Sequence, residues 1–262
     1  IVVENNSCEE TFDYYKNIAP EENMVDGIRC MEGKLAGGQR ICVAVYTEGF
    51  NYSRLNNFGV KFAEGSYYLL MNNDIEMIGN DWMKRMLENC LRKETGVVGA
   101  KLFYPDHTIQ HAGIVVGIGG NARGIGDNMF VGLAGERSGY MHKASIQLDY
   151  SAVTAACLMV KREIYEQAGG FEEQLAVAFN DVDFCLKVRR LGKLVVYDPH
   201  VQAYHYESKS RGAEDSAEKT ARFQREIEYM RNHWIGILKN GDPYYNPNFS
   251  SVYNNYSLKD NS

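Results

Sequence analysis

The sequence predicts an α/β fold, because apolar runs of strand length alternate with segments of helical periodicity. Tyr67–Met71 is a run of five large apolar or aromatic residues, which is typical of a buried strand. Residues 81–93 instead place their apolar side chains three or four positions apart, and the segment from 217 onward repeats this spacing over a longer stretch.

The remaining elements follow the same two patterns along the chain. Strands are predicted at residues 1–4, 41–46, 97–103, 114–116, 194–197 and 201–204, with a further apolar run at 156–160. Helices are predicted at residues 9–17, 55–63, 162–168 and 181–191. The glycine-rich, aperiodic segment 117–139 is predicted to be a mobile loop, and the tail after Gly241 to lie extended on the body.

Composition excludes several classes of protein. The chain has 262 residues, 45% hydrophobic and 24% charged, which is enough to bury a core of ordinary size. No apolar run approaches the roughly 18 residues that cross a bilayer. The formal charge of −6, without a basic cluster, argues against nucleic acid as a partner. The six cysteines are widely spaced and are expected to be reduced, mostly buried thiols of a cytosolic protein.

One glycine motif is set aside. Residues 117–122 read G-I-G-G-N-A and fit the dinucleotide fingerprint G-x-G-x-x-A after a predicted strand. The fingerprint should open a helix, whereas residues 123–135 contain further glycines and no helical period. A nicotinamide site is therefore not predicted.

Polar residues end the buried strand 67–71. Asn72, Asn73 and Asp74 follow it directly, and in an α/β sheet the carboxyl ends of strands face the crevice where ligands bind. A carboxylate flanked by amide oxygens suits a hard divalent cation. The same three residues also suit a turn, and the spacing alone leaves both interpretations open.

Two further clusters stand at element ends. Asp181 and Asp183 open a predicted helix, where Asp181 would serve as an N-cap and Asp183 would complement the helix dipole unless they have a chemical role. His205 and Arg211 follow the last predicted strand and are candidates for a metal ligand and a phosphate contact, although such residues are more often solvated.

Taken together, these segments resemble the family 2 glycosyltransferases with a GT-A fold, in particular the bacterial cell-surface polysaccharide and rhamnosyltransferase-like members. The resemblance runs through nearly the whole chain, and its motifs occur in the family's order. They are V-E-N-N-S (3–7), G-F-N-Y-S-R-L-N-N (49–57), N-N-D (72–74) in place of D-x-D, S-A-V-T-A-A-C-L-M-V (151–160), G-G-F-E-E (169–173), N-D-V-D (180–183), H-Y-E-S-K-S-R-G (205–212) and D-P-Y-Y-N-P (242–247).

The resemblance implies a GT-A fold with a mixed central sheet flanked by helices, and an inverting transfer of a sugar from a nucleotide-diphosphate donor. It implies that Asp181 is the catalytic base and that Asp74 and His205 contact a Mn or Mg ion. Four residues would contact the donor by the same resemblance: Glu4, Asn57, Asn72 and Arg211. The acceptor would be a hydroxyl of a glycan or a lipid-linked sugar in cell-surface polysaccharide synthesis.

The resemblance also implies how the chain is organised. Residues 1–212 would form the GT-A domain, with a donor half at 1–76 and a metal and acceptor half at 77–212, and residues 213–262 would pack on the same domain as a C-terminal helix and tail. The family's first strand is expected to be missing, so the edge of strand 1–4 would favour self-association and weaken donor binding and activity. The longer protein would be cytoplasmic, with peripheral association at the inner face of the membrane.

Two other classes of protein fit parts of the pattern. A metal-dependent nucleotidyltransferase would need a second strong carboxylate near Asp74, which the sequence does not offer. A catalytically silent sugar-nucleotide or glycan-binding module remains open, because a fold does not determine a function.

Overall fold

The structure is a computed structural model, and it describes residues 1–119, 124–206 and 216–259. The chain forms two compact units: residues 1–65 with 171–177, and residues 66–170 with 178–262. The boundary by contact density thus lies at residues 65 and 66, while the division into donor and acceptor halves at residue 76 stays a prediction.

The first unit is built on a four-stranded mixed sheet, counted over the described residues, with the order β1-β4-β3-β2. Its elements are β1 (Val2–Glu4), α1 (Glu9–Ile18), β2 (Glu21–Val25), β3 (Ile28–Lys34), β4 (Arg40–Val45) and α2 (Tyr52–Gly59). Strand β1 is parallel to β4 and lies at the edge of the sheet. Met31 and Val43 are buried against α1, and Cys30 and Ala44 form a second small core with α2.

The second unit holds a seven-stranded sheet, again counted over the described residues, with the path β11-β13-β7-β12-β5; β6 pairs with β13 and β8 with β7. The strands of this sheet are β5 (Tyr67–Met71), β6 (Ile75–Ile78), β7 (Thr95–Phe103), β8 (Ile109–His111), β11 (Leu148–Asp149), β12 (Cys157–Lys161) and β13 (Leu194–His205). Strands β9 (Ile114–Val116) and β10 (Gly126–Asn128) form a separate two-stranded sheet. The helices of this unit are α3 (Trp82–Leu91), α4 (Arg162–Gln167), α5 (Asn180–Arg190) and α6 (Ala217–Asn240).

Strand direction determines which residues of this sheet meet. Strand β13 is parallel to β7, and β12 is antiparallel to both β7 and β5. The carboxyl ends of β5, β7 and β13 therefore lie at one edge of the sheet, together with the amino end of β12. Every residue of β7 is buried, which makes it the centre of the core.

Several predicted elements were wrong or incomplete. The hairpin of β2 and β3 was missed, although the Asp26-Gly27 turn, with φ of 51° and 79°, is a common two-residue hairpin turn. Residues 194–205 form one strand rather than two. The predicted loop 117–139 contains β10, which pairs with β9. Residues 120–122 of the rejected glycine motif lie outside the described residues, and a strand follows it rather than a helix.

The C-terminal helix and tail pack on the second unit. Ser216 caps α6 by accepting a hydrogen bond from the backbone N–H of Lys219 at 3.2 Å. In the tail, the carboxylate of Asp242 is buried and accepts a hydrogen bond from the backbone N–H of Val116 at 2.8 Å. None of the helices in the described part of the chain combines the length and hydropathy that a bilayer span requires. All six cysteines are free and only Cys8 is exposed, as predicted.

Candidate active site

The segment that follows β5 crosses the carboxyl edge of the second sheet. The backbone N–H of Asn72 donates to the carbonyl of Ala156 at 2.9 Å, just before β12 begins. Two residues later, the carbonyl of Asp74 accepts from the backbone N–H of Tyr206, at the end of β13. The predicted turn is therefore confirmed: Asn73 and Asp74 form it, and it carries Asp74 across the strand ends. The cation-binding role of Asp74 stays a prediction.

Asn72, Asp74 and His205 come together at this edge. The Nε2 atom of His205 lies 3.3 Å from Nδ2 of Asn72 and 3.2 Å from Oδ1 of Asp74. Oδ1 of Asp74 is buried and has no hydrogen-bond partner among the residues that the structure describes. The described residues contain no group of three or more His, Cys, Asp and Glu side chains that could hold a metal. Within this described part of the chain, Asp74 and His205 are the carboxylate and the imidazole that meet at this edge.

The other ring nitrogen of His205 is held by Gln110 on β8. Nδ1 of His205 lies 2.7 Å from Oε1 of Gln110, and Nε2 of Gln110 donates to the carbonyl of His205 at 3.3 Å. Gln110 was missed by sequence reasoning, although the polar pair Gln110-His111 inside an apolar segment was an available signal.

Asp181, like Asn72, contacts the segment just before β12. Its Oδ1 accepts from the backbone N–H of Val182 at 2.8 Å, and its Oδ2 from the N–H of Ala155 at 3.4 Å. Burial raises the pKa of Asp181 above its usual value, while these bonds and one from the Thr154 side chain lower it. Because Asn72 contacts Ala156 and Asp181 contacts Ala155, one short segment holds both groups.

The predicted N-cap role of Asp181 was wrong in position. Helix α5 begins at Asn180, and Phe179 occupies the cap position with a left-handed φ of 62°. Asp181 is the second residue of the helix, and it still accepts one of the free N–H groups, that of Val182. Its carboxylate is therefore held at a helix start without being the cap.

His111, the neighbour of Gln110, supports the segment that contacts Asp181. Its side chain is buried, Nδ1 lies 2.5 Å from Oδ1 of Asn128, and Nε2 accepts from the backbone N–H groups of Gly113 and Thr154, each at 3.3 Å. The pKa of His111 is lowered to about 4, because the effect of burial exceeds the opposing effect of the hydrogen bond to Asn128. His111 is thus neutral near pH 7, and sequence reasoning missed it.

Asp183 is a buried anchor, which the expected dipole role did not foresee. Its side chain is 1% exposed, Oδ1 accepts from Nε1 of Trp234 at 2.8 Å, and Oδ2 pairs with Nζ of Lys187 at 2.8 Å. Because Trp234 belongs to α6, Asp183 ties the C-terminal helix to the start of α5.

Glu4 and Asn57, the predicted donor contacts of the first unit, are engaged within that unit. The carboxylate of buried Glu4 accepts from the backbone N–H of Ser7 at 2.8 Å and from the Ser7 hydroxyl. The amide of Asn57 donates to the carbonyl of Phe171 and accepts from its N–H, each at 2.9 Å. Their contacts to a nucleotide stay predictions, and Arg211 lies outside the described residues.

Sequence comparison finds relatives that are much longer than this chain. No family model matches it. It is 42% identical over 260 residues to "Uncharacterized protein y4gI" of Sinorhizobium fredii, covering 98% of the chain and 26% of that protein. It is 33% identical over 216 residues to "O-antigen biosynthesis protein RfbC" of Myxococcus xanthus, covering 80% of the chain and 16% of that protein.

A third relative matches a shorter part of the chain. An N-acetylglucosaminyl-diphospho-decaprenol L-rhamnosyltransferase of Mycobacterium tuberculosis is 26% identical over 84 residues, which are 32% of the chain and 27% of that protein. The chain thus spans about a quarter or less of the length of the two relatives that it matches over most of its residues.

Comparison of structures addresses the fold. A crystal structure of GalNAc-T7 with UDP, GalNAc and Mn²⁺ matches 88% of this chain and 40% of that one, with a TM-score of 0.58 and 13% identity. Such low identity establishes the architecture alone. The chain has the GT-A fold, and its relatives support a glycosyltransferase family.

Proposed function

We propose that this chain is the catalytic GT-A domain of an inverting glycosyltransferase of family 2. It would move a sugar from a nucleotide-diphosphate donor to a hydroxyl of a glycan or lipid-linked acceptor, in the synthesis of a cell-surface polysaccharide. The observation that carries this proposal is that neighbouring residues hold the two groups: Ala156 binds the backbone of Asn72, beside the Asp74–His205 pair, and Ala155 donates to Asp181.

The residues at the sheet edge fit a divalent cation. Gln110 accepts from Nδ1 of His205, so Nε2 of the neutral ring carries a lone pair. That lone pair lies 3.2 Å from Oδ1 of Asp74, a buried acceptor with no described hydrogen-bond partner. Two facing acceptors repel each other unless the ring is protonated or a cation lies between them. An aspartate and a histidine with open positions suit Mn or Mg completed by phosphate oxygens and water.

Asp181 is the proposed general base. It would accept the proton of the acceptor hydroxyl on a carboxylate oxygen while the hydroxyl oxygen forms a bond to the anomeric carbon. The bond from that carbon to the donor phosphate breaks on the opposite face, and its electron pair leaves with the nucleoside diphosphate. A single displacement of this kind inverts the anomeric centre. The raised pKa of Asp181 supports this role, because it makes the carboxylate a stronger base.

The leaving diphosphate needs its developing charge stabilised. A bound Mn or Mg ion would supply that electrostatic stabilisation. Asn72 is oriented by its backbone bond to Ala156 and would contact the donor through its amide. Glu4, Asn57 and Arg211 are proposed donor contacts by resemblance alone. The longer protein is proposed to be cytoplasmic and peripherally associated with the membrane.

A ligand screen followed by turnover tests this function. Sugar nucleotides that differ in base and sugar would be screened for thermal stabilisation with and without Mn²⁺; a ligand at about 100 times its dissociation constant adds roughly 2.7 kcal/mol to the stability. Release of the nucleoside diphosphate in the presence of a glycan or lipid-linked acceptor would then be measured with this chain and with a longer protein. Metal-dependent binding without turnover in either would favour the silent binding module, and stabilisation by no sugar nucleotide would refute the proposal.

A further inference from the structure

We infer that Gln110 is the positioning residue of the proposed metal site: it fixes the tautomer and the orientation of the His205 imidazole so that Nε2 faces Asp74. The expected effect of Gln110 on the binding of a divalent cation rests on the proposed function. The geometric part concerns only residues of β8 and β13 and can be tested without any ligand.

The orientation of the Gln110 amide is determined by the backbone of His205. One end of the amide lies 3.3 Å from the carbonyl oxygen of His205, and the other lies 2.7 Å from Nδ1 of the same residue. A carbonyl oxygen can only accept, so the NH₂ group of the amide must face it. The amide oxygen is thereby left facing the ring.

The amide oxygen in turn selects the tautomer of His205. Because an amide oxygen can only accept, Nδ1 of the imidazole must carry the proton. In the neutral ring Nε2 then carries the lone pair, and it is this atom that accepts from Nδ2 of Asn72 and lies beside Asp74. Three successive donor and acceptor assignments thus lead from the main-chain carbonyl of His205 to Nε2, the proposed ligand atom.

Burial keeps this arrangement in place. Gln110 is 6% exposed and the whole of β8 is buried, so loss of either hydrogen bond is not readily compensated by water. His205 is the last residue of β13, and its side chain is 10% exposed. In the sheet, β7 lies between β13 and β8. Gln110 therefore bridges two strands that are not hydrogen-bonded neighbours.

Outer hydrogen bonds of this kind tune metal affinity, and their loss typically weakens binding 10- to 100-fold. We expect Gln110→Met, which keeps the length of the side chain but offers the ring no acceptor, to bind Mn²⁺ about 10- to 100-fold more weakly than the native chain. Gln110→Glu retains an acceptor for Nδ1–H but loses the donor to the His205 carbonyl, so it should bind Mn²⁺ more tightly than Gln110→Met and less tightly than the native chain. Gln202→Met is the matched control, because Gln202 lies on β13 but donates to the carbonyl of Pro199.

The experiment has two readouts on the whole chain. The first is the pattern of ring ¹⁵N shifts of His205 at about pH 8, where an ordinary histidine is neutral, assigned with a His205→Gln variant. The second is the dissociation constant of Mn²⁺ alone, from the EPR signal of the free ion. Circular dichroism checks that each variant is folded.

The inference is supported if Nδ1 of His205 is protonated in the native chain and in Gln202→Met, and if Gln110→Met loses both this protonation pattern and Mn²⁺ affinity. An Nε2-protonated ring in the native chain overturns it, as does unchanged Mn²⁺ binding in folded Gln110→Met. If the native chain binds no Mn²⁺, the proposed metal dependence fails, but the tautomer of His205 still tests the role of Gln110. A ring that stays protonated on Nδ1 in Gln110→Met then refutes the positioning role of Gln110. If Gln110→Met does not fold, the native tautomer and Gln110→Glu decide.

Discussion

Trp234→Phe is expected to destabilise the chain through a single buried hydrogen bond. Nε1 of Trp234 donates to Oδ1 of Asp183 at 2.8 Å, and Asp183 is 1% exposed. Phenylalanine keeps a ring beneath the guanidinium of Arg190, which lies 3.8 Å from the centre of the indole. The main loss is therefore one donor to a buried carboxylate.

The size of the effect follows from that geometry. A hydrogen bond to a charged group contributes about 1.5–3 kcal/mol. Within the described ranges, the Asp183 side chain then keeps its ion pair with Lys187, 2.8 Å away. We therefore expect the free energy of unfolding to fall by about 1.5–3 kcal/mol beyond the cost of shortening a tryptophan. Against a typical total of about 5–15 kcal/mol, this is a large fraction.

Trp82→Phe measures the cost of shortening alone. Trp82 is half-buried and packs beside the core under α3, with no hydrogen bond from its indole among the described residues. Both variants would be unfolded in urea and followed by circular dichroism. Equal losses in the two variants would refute the anchor role of Asp183. So would a Trp234→Phe effect of the same size in the Asp183→Ala background, in which the indole N–H has no carboxylate acceptor.

Three further predictions concern the site. Asp181→Asn keeps an oxygen for the Val182 N–H but removes the base, so turnover of a longer protein should fall at least about 100-fold with donor binding retained. Asp74→Ala should abolish the metal dependence of nucleotide binding, measured by titration calorimetry, while circular dichroism stays unchanged because Asp74 follows β5. His111→Phe should alter the dependence of stability on pH: the pKa of His111 is lowered to about 4 in the folded chain, so the unfolded chain binds more protons, and stability is lost as the pH falls from about 6.5 to 4.

Each of these has a contradicting outcome. Near-native turnover of Asp181→Asn, with at most about 1 kcal/mol of lost stability, would leave Asp181 with only its helix contact. Undiminished metal dependence in Asp74→Ala would remove Asp74 from the metal site. For His111, urea unfolding at several pH values should give a drop of up to about 3 kcal/mol that the variant lacks; parallel curves for the two proteins would refute the buried neutral ring.

The missed elements show where sequence patterns carry too little information. Every residue of β2 is exposed, so the strand has no alternation of buried and exposed side chains, and only the Asp26-Gly27 turn could have revealed its hairpin. Residues 194–197 and 201–204 were predicted as two strands, but the break between them is local: the register of β13 with β7 shifts between Asp198 and Gln202, and the strand continues. A β-bulge shifts the register locally, and the strand continues beyond it.

The sequence by itself determined the alternation of strands and helices and the positions of Asp74, Asp181 and His205 at element ends, because periodicity and turn chemistry are local properties. Tertiary structure alone decided that Asn72 and His205, 133 positions apart, share one site, because that depends on β5 and β13 running in the same direction. It also decided the roles of Gln110, His111 and Asp183. Their function lies in hydrogen bonds to distant partners, which no spacing along the chain encodes.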